Sequence, residues 1–226
     1  FTFTYNQRGH QVLRVVGIDA DTGRTRSIIE ETSDTFICYS GKYFCRYLDE
    51  TGEILWMSER DGWNHLYLYD AKSARLKHQV TRGPWVVRGV EAVDTENRQI
   101  RIRLSGCYPK QDPYYIHFAR VHFDGTGLTL LTEGDGTHSI DFSPDGRYLV
   151  DSYSRVDMPG VHELRRADTG EKVCELERAD SSALLETGWQ AGKSHSFPKT
   201  PLISSYNVQT DGADGSRMLI ALTKSV

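Results

Sequence analysis

Ser58-Glu-Arg-Asp-Gly-Trp-Asn-His-Leu-Tyr-Leu-Tyr-Asp70 reads as the heart of a β-hairpin. The apolar run Ile54-Leu-Trp-Met57 leads into a charged Asp-Gly turn, and Leu66-Tyr-Leu-Tyr69 returns with strand alternation. The layout recurs. Turns that close a third strand fall at Asp21-Thr-Gly23, Asp70-Ala-Lys-Ser73, Asp124-Gly-Thr-Gly127 and Asp168-Thr-Gly170, with their Asp residues 49, 54 and 44 positions apart. A second series, Asp49-Glu-Thr-Gly52, Asp94-Thr-Glu-Asn97 and Ser143-Pro-Asp-Gly146, separates first from second strands at spacings of 45 and 49. Two independent turn series sharing one period of that length indicate propeller blades or a similar array.

Each unit supplies about the four strands that one blade needs. The clearest runs 43–48, 54–57, 65–69 and 75–81; the next 90–93, 99–104, 114–121 and 128–132; the last 139–142, 147–150, 161–164 and 172–176. The first unit opens with Phe1-Thr-Phe-Thr-Tyr5, which aligns with second strands, so the chain is expected to begin inside a blade. A sandwich or barrel also shows short strands with regular turns, but a blade-length period favours the propeller. The expected fold is therefore all-β: a partial β-propeller of about four four-stranded antiparallel blades, the first incomplete. The blades cover about 1–36, 37–83, 84–134 and 135–180, and a linker and divergent tail cover 181–226. Four such units do not easily close a ring, so the expectation is part of a larger propeller.

The 226 residues are 38% hydrophobic and 26% charged, ordinary for a globular protein with a sizeable core. A net charge of −4 without a basic block argues against nucleic acid as the main partner. No apolar run approaches the roughly 18–20 residues of a membrane span. Cys38, Cys45, Cys107 and Cys174 form no Cys-x-x-Cys pair and read as buried thiols on strands. Cys38 and Cys45 flank a turn, and spacing leaves their disulfide state open.

Searches for chemistry return little. Gly192-Lys-Ser-His-Ser196 lacks the second Gly of a nucleophile elbow. His162-Glu163 lacks the second His of a zinc helix. Asp19-Ala-Asp-Thr-Gly23 lacks the Gly and Glu of a calcium loop and reads as a strand-connecting turn. No catalytic residue, metal ligand or cofactor site is assigned. His10, His65 and His162 fall near the starts of third strands, a repeated position that suggests hydrogen bonding to a neighbouring turn. Gly134-Asp-Gly-Thr-His138 precedes a first strand, where a tight turn accounts for both glycines. Asp112-Pro-Tyr-Tyr115 ends a longer loop, the kind of segment that carries function on a rigid scaffold. The one substrate-binding candidate is Arg46, on a first and channel-lining strand. It suits a carboxylate or carbonyl, and a solvated arginine in a wet channel accounts for it equally.

Four strings carry a resemblance: Ser58 to Tyr69, Val80-Thr-Arg-Gly-Pro-Trp-Val-Val87, Leu131-Thr-Glu-Gly-Asp-Gly-Thr-His138 and Phe142-Ser-Pro-Asp-Gly146. They resemble the N-terminal propeller of dipeptidyl peptidase IV-like proteins, in the prolyl oligopeptidase superfamily, over roughly residues 1–189. The resemblance implies the later blades of an eight-bladed propeller that covers a Ser-Asp-His hydrolase domain, admits short peptides and holds the substrate's N-terminus. It also implies a periplasmic or secreted parent. Leu184-Leu-Glu-Thr-Gly-Trp189 resembles the segment just before that hydrolase domain. The family's paired amine-binding glutamates lie upstream of the matched region; Glu30-Glu31 sits in a different setting, and Arg46 does not match the family's substrate-binding arginine by motif.

Two functions follow as expectations. The first is the non-catalytic propeller portion of a serine exopeptidase, gating and positioning peptide substrate for a hydrolase domain absent from this chain. The second is a stand-alone propeller-like binding module, or a remnant whose hydrolase has been lost. Open blade edges imply self-association.

Overall fold

The computed structural model describes residues 1–190 and the backbone of two further strands, Ser205–Asp211 and Arg217–Thr223. The chain divides into two compact units, Phe1–Ala191 and Gly192–Val226. The string Gly192 to Ser196 lies outside the described residues.

Four antiparallel sheets follow one another along the first unit, each with its strands in sequence order. Blade 1 has three: β1 (Thr2–Asn6), β2 (Val12–Ile18) and β3 (Thr25–Thr32). Blade 2 is β4 (Cys45–Leu48), β5 (Glu53–Ser58), β6 (His65–Asp70) and β7 (Arg75–Gln79). Blade 3 is β8 (Val86–Asp94), β9 (Gln99–Ser105), β10 (His117–His122) and β11 (Thr129–Leu130). Blade 4 is β12 (Thr137–Phe142), β13 (Tyr148–Arg155), β14 (Met158–Arg166) and β15 (Lys172–Arg178). A short helix, α1 (Ser182–Glu186), follows. In the second unit β16 (Ser205–Asp211) pairs antiparallel with β17 (Arg217–Thr223). The fold is the partial propeller of four-stranded blades that the two turn series imply.

The hairpin that opened the sequence reading explains how blades stack. Every residue of β5 is buried, and so are the first five of β6. A strand buried on both faces reads as a continuous apolar run rather than an alternation. Ile54, Trp56, Tyr67 and Tyr69 pack with Leu13, Val15, Ile28 and Ile29 of blade 1. The alternate residues Leu55, Met57, Leu66 and Leu68 pack with Val87, Ile100, Ile102 and Leu104 of blade 3. Each such side chain contributes about 1.5–3 kcal/mol by leaving water. The core between blades 3 and 4 is smaller, centred on Phe118, Leu131 and Leu149.

The junctions repeat a hydrogen-bond pattern as well as an apolar one. A backbone N–H entering each blade bonds a carbonyl ahead of the previous blade's third strand: Ile37 to His10 at 2.7 Å, Val87 to Asn64 at 2.8 Å, His138 to Ile116 at 2.9 Å. A side-chain donor reaches the next blade's closing turn each time: Arg26 Nη2 to Ala71 O at 2.8 Å, His78 Nε2 to Phe123 O at 2.8 Å, Arg120 Nε to Asp168 O at 2.7 Å. These turns must therefore come close. Gly170, at φ +74°, lies so near blade 3 that an added Cβ would sit 2.3 Å from Leu130 O. The turns themselves are held by Asp carboxylates: Asp70 Oδ1 accepts from Ser73 N and Oγ, and Asp124 Oδ1 from Thr126 N and Oγ1. In blade 1 the capping residue is Asp19, which accepts from Asp21 N and from Thr22 N and Oγ1.

Three local readings need correction. His10 does not share a position with His65 and His162. It lies ahead of β2 with φ +58°, whereas His162 sits inside β14. The true equivalent of His65 is His117, since each opens its strand and hydrogen-bonds a Thr at the end of its own blade, Thr81 or Thr132. Cys38 and Cys107 lie in loops rather than strands, and Cys174 is exposed on β15; all four thiols are free. The third strand of blade 3 begins at His117 rather than at 114, because Gln111, Asp112 and Pro113 keep the preceding residues in turn geometry.

Candidate functional site

The first strands β4, β8 and β12 occupy the same edge of their sheets. Arg46 on β4 is exposed and has no hydrogen-bond or ion-pair partner among the described residues. It borders a cavity of about 250 Å³ with Tyr47, Asp49, Glu50, Arg98 and Phe123. On the neighbouring first strands, Arg88, Ser139 and Asp141 are likewise exposed, and Glu91 is ion-paired to Arg103 Nε at 2.5 Å. This edge is polar, wet and of mixed charge.

A second concentration of polar groups lies at the blade 1–blade 2 junction, where the turn after β5 meets β3. Glu31 is buried and sits between three donors: Trp56 Nε1 at 2.7 Å, Ser58 Oγ at 2.9 Å and Arg60 Nη2. Arg60 also stacks over Tyr67, with its Cζ 4.7 Å from the ring centroid, and over Tyr69 at 5.5 Å. Burial would depress the Arg60 charge, but its bond to Glu31 outweighs that and raises its pKa. The buried Tyr67 hydroxyl has no hydrogen-bond partner among the described residues, and its pKa is raised first by burial and then by Asp61. A cavity of about 240 Å³ opens beside them, lined by Glu31, Cys38, Lys42, Tyr43, Trp56 and Arg60. Arg60 is ion-paired with Glu31 and Lys42 with Glu59, so both signs of charge face this small volume as two ion pairs.

Sequence reasoning passed over Glu31. Its partners lie 25 to 29 positions away, so no local spacing announces it. Its neighbour Glu30 points elsewhere and bonds Arg14 Nε across the sheet at 2.5 Å. Adjacent strand residues face opposite sides, so Glu30-Glu31 is split between solvent and junction.

The third cluster joins blades 3 and 4. His138 Nδ1 lies 2.7 Å from Asp151 Oδ1, and its Nε2–H donates to Gly134 O at 2.8 Å. Asp151 also meets Arg165 Nε at 3.1 Å; Arg165 bonds Glu163 at 2.5 Å, and Glu163 receives Lys172 at 2.7 Å. Gly134-Asp-Gly-Thr-His138 thus forms a tight turn whose histidine faces a buried ion network. Its ring lies 4.6 Å from that of His117, which bonds Thr132 Oγ1 and Gln111 Oε1. Burial, then the charge of His138, pushes the His117 pKa down to about 4. The loop ending in Asp112-Pro-Tyr-Tyr115 supplies Gln111 to this cluster and leaves Tyr114 exposed.

Among the described residues no group of three or more His, Cys, Asp or Glu side chains is placed to hold a metal ion. No helix there is long and apolar enough to cross a membrane.

Comparison with solved structures places the same architecture in two bacterial proteins. The dipeptidyl peptidase 4 of Porphyromonas gingivalis matches with a TM-score of 0.60 and 18% identity, over 99% of this chain and 29% of that one. A putative dipeptidyl aminopeptidase IV from Bacteroides ovatus matches with a TM-score of 0.60 and 19% identity, over 99% and 32%. The chain thus spans less than a third of the length of these two relatives. Residues 1–160 match the family model of the dipeptidyl peptidase IV N-terminal region. With its turn series, stacked blades and sequence signature in agreement, the chain belongs to the dipeptidyl peptidase IV N-terminal region family.

Proposed function

We propose that this chain is the non-catalytic propeller portion of a dipeptidyl-peptidase-like serine exopeptidase, and that it gates and positions peptide substrate for a hydrolase domain not contained in it. The observation that carries the reading is the cavity at the blade 1–blade 2 junction, where the ion pairs Glu31–Arg60 and Glu59–Lys42 bring both charge signs to one volume of about 240 Å³ within a family-matched propeller. Arg46, unpaired on the first-strand edge, is the proposed contact for a substrate carboxylate or carbonyl. Such residues act by orientation, holding a substrate in reach of chemistry done elsewhere. The blade limits 1–36, 37–83, 84–134 and 135–180, and the role of 181–226 as linker and tail, belong to the same proposal.

Two measurements test it. The purified chain should not cleave Gly-Pro or Ala-Pro chromogenic substrates, and cleavage that survives exclusion of contaminating peptidase would sink the non-catalytic assignment. In the full-length protein, Arg46→Ala should raise KM for dipeptide release several-fold with kcat nearly unchanged; an unchanged KM would remove Arg46 from the substrate path. A parent reading frame without a Gly-x-Ser-x-Gly domain would favour the stand-alone binding module instead.

A further inference from the structure

We propose that the cleft between blades 3 and 4, at the end where the strands are joined by tight turns, binds a doubly charged oxyanion of the phosphate type. The cleft has a volume of about 520 Å³; Arg101, Arg120, Gln99, Asn97 and Phe142 line it together with the carboxylates of Asp94, Asp145 and Asp168. Arg101 and Arg120 stand directly opposite one another on β9 and β10. Like charges in that position destabilise a sheet, so the pair needs a reason.

The repeat itself supplies the comparison. His65 and His117 are equivalent, so Leu68 corresponds to Arg120 and its cross-strand partner Leu55 to Arg101. In blade 2 this position holds an apolar pair, Leu55 and Leu68, fully buried against the next blade. In blade 4, where Ala167 N bonds Arg147 O as Ala71 N bonds Gly52 O and Phe123 N bonds Arg98 O, it holds another apolar pair, Val150 and Leu164. Blade 3 alone among these places two cations there. The consequence is the small apolar core at the blade 3–blade 4 junction and the cleft beside it.

Both guanidinium groups are held without a direct ion pair among the described residues, and Asp94 is near enough to Arg101 for the arginine's charge to lower the carboxylate's pKa. Arg120 spends Nε on Asp168 O at 2.7 Å, which leaves its outer nitrogens without an acceptor among the described residues. Arg101 lies flat over Phe142, with Cζ 4.1 Å from the ring centroid, and has no ion-pair partner there. The three rim carboxylates are engaged locally: Asp94 by Asn97 N and Nδ2, Asp145 by Ser143 Oγ and Arg147, Asp168 by Arg166. Two positioned forks with free N–H groups, a nearby Asn and Gln, and an open cleft match the bidentate geometry of a phosphate oxyanion.

Inorganic phosphate is the probe, titrated calorimetrically into the whole chain at constant ionic strength, with chloride as the reference salt. Saturable binding is expected, together with a rise in the unfolding midpoint that chloride does not reproduce. Arg101→Gln and Arg120→Gln should each weaken binding at least tenfold, and Arg101→Gln should leave phosphate-free stability unchanged or higher because it removes the like-charge contact. If Arg120→Gln fails to fold, Arg101→Gln alone decides the matter. A response to phosphate equal to that of chloride, or binding that persists in Arg101→Gln, would overturn the proposal. So would a phosphate-free Arg101→Gln variant that is markedly less stable, since the arginine would then be a structural partner.

Discussion

Glu53 offers a quantitative test of how blades 2 and 3 are joined. Its side chain is 3% exposed, yet it collects Lys77 Nζ at 2.5 Å from β7, Arg98 Nη1 at 2.9 Å from the turn of blade 3, and Thr51 Oγ1 at 2.8 Å. Burial alone would raise its pKa; the bonds from Arg98, Lys77 and Thr51 prevail and hold it at about 2, against 4.5 for the free side chain. A folded pKa below the unfolded one means stability that is present above pH 4.5 and lost as pH falls from 4.5 towards 2. The full shift corresponds to about 3.4 kcal/mol at 1.36 kcal/mol per unit. Because Lys77 and Arg98 are themselves 42% and 43% exposed, solvent screening reduces this to about 2 kcal/mol. Glu53→Gln keeps the shape and removes the charge. Urea unfolding followed by the fluorescence of the buried Trp56 should show a loss of about 2 kcal/mol at pH 7, shrinking to about a quarter of that at pH 2.5, where the unfolded carboxyl is protonated and the folded one only partly. A loss of the same size at both pH values would mean that Glu53 acts through packing, and the electrostatic account of this junction would be wrong.

His117 acts in the same direction but at higher pH: its pKa is depressed from 6.5 to about 4, so the wild type should lose about 3 kcal/mol as pH falls from 6.5 through 4, and His117→Asn should lose much less over that window in urea titrations at pH 7 and pH 4.5. Gly170→Ala should cost more than about 3 kcal/mol because its Cβ would collide with Leu130 O, whereas Gly146→Ala, at φ +68° with nothing within 4 Å, should cost about 1 kcal/mol; equal losses in chemical denaturation would refute the close-approach argument. The exposed aromatic residues Phe1, Phe3 and Tyr5 on blade 1, and Val173 and Leu176 on blade 4, should drive self-association of the isolated chain, which Phe3→Lys combined with Val173→Lys should reduce; a wild-type monomer by sedimentation with a sharp cooperative melt would contradict this.

The fold was legible because a propeller writes itself in local terms. Turns such as Asp70 to Ser73 and Asp124 to Gly127 are built from residues within three positions of one another, and their spacing alone sets the blade length. The continuous apolar run Ile54 to Met57, read from the sequence only as a hairpin strand, proves buried on both faces. Strand limits failed where local chemistry gave way to context. β13 and β14 extend well beyond 147–150 and 161–164, because their hairpin continues to Arg155 and Met158 through a register shift that no alternation marks.

The candidate sites were less legible for one physical reason: each is assembled across a blade junction. Arg46 was visible because it lies on a single strand, and its exposed, unpaired state is what one strand can tell. Glu31 needs Trp56, Ser58 and Arg60 from the next blade before its burial makes sense, and Arg101 needs Arg120, 19 positions away, before its charge looks anomalous. Repetition narrows that gap. Once His65 and His117 fix the register between blades, every position acquires siblings, and a residue can be judged against what the same fold does with the same place elsewhere. By that standard the apolar pairs of blade 2 are the scaffold, and the buried carboxylate at Glu31, the ion network around Arg165 and the facing arginines of blade 3 are the places where this propeller departs from apolar packing. Leu55 and Leu68 state what the architecture alone requires there, which is why Arg101 and Arg120 carry the stronger claim to a ligand.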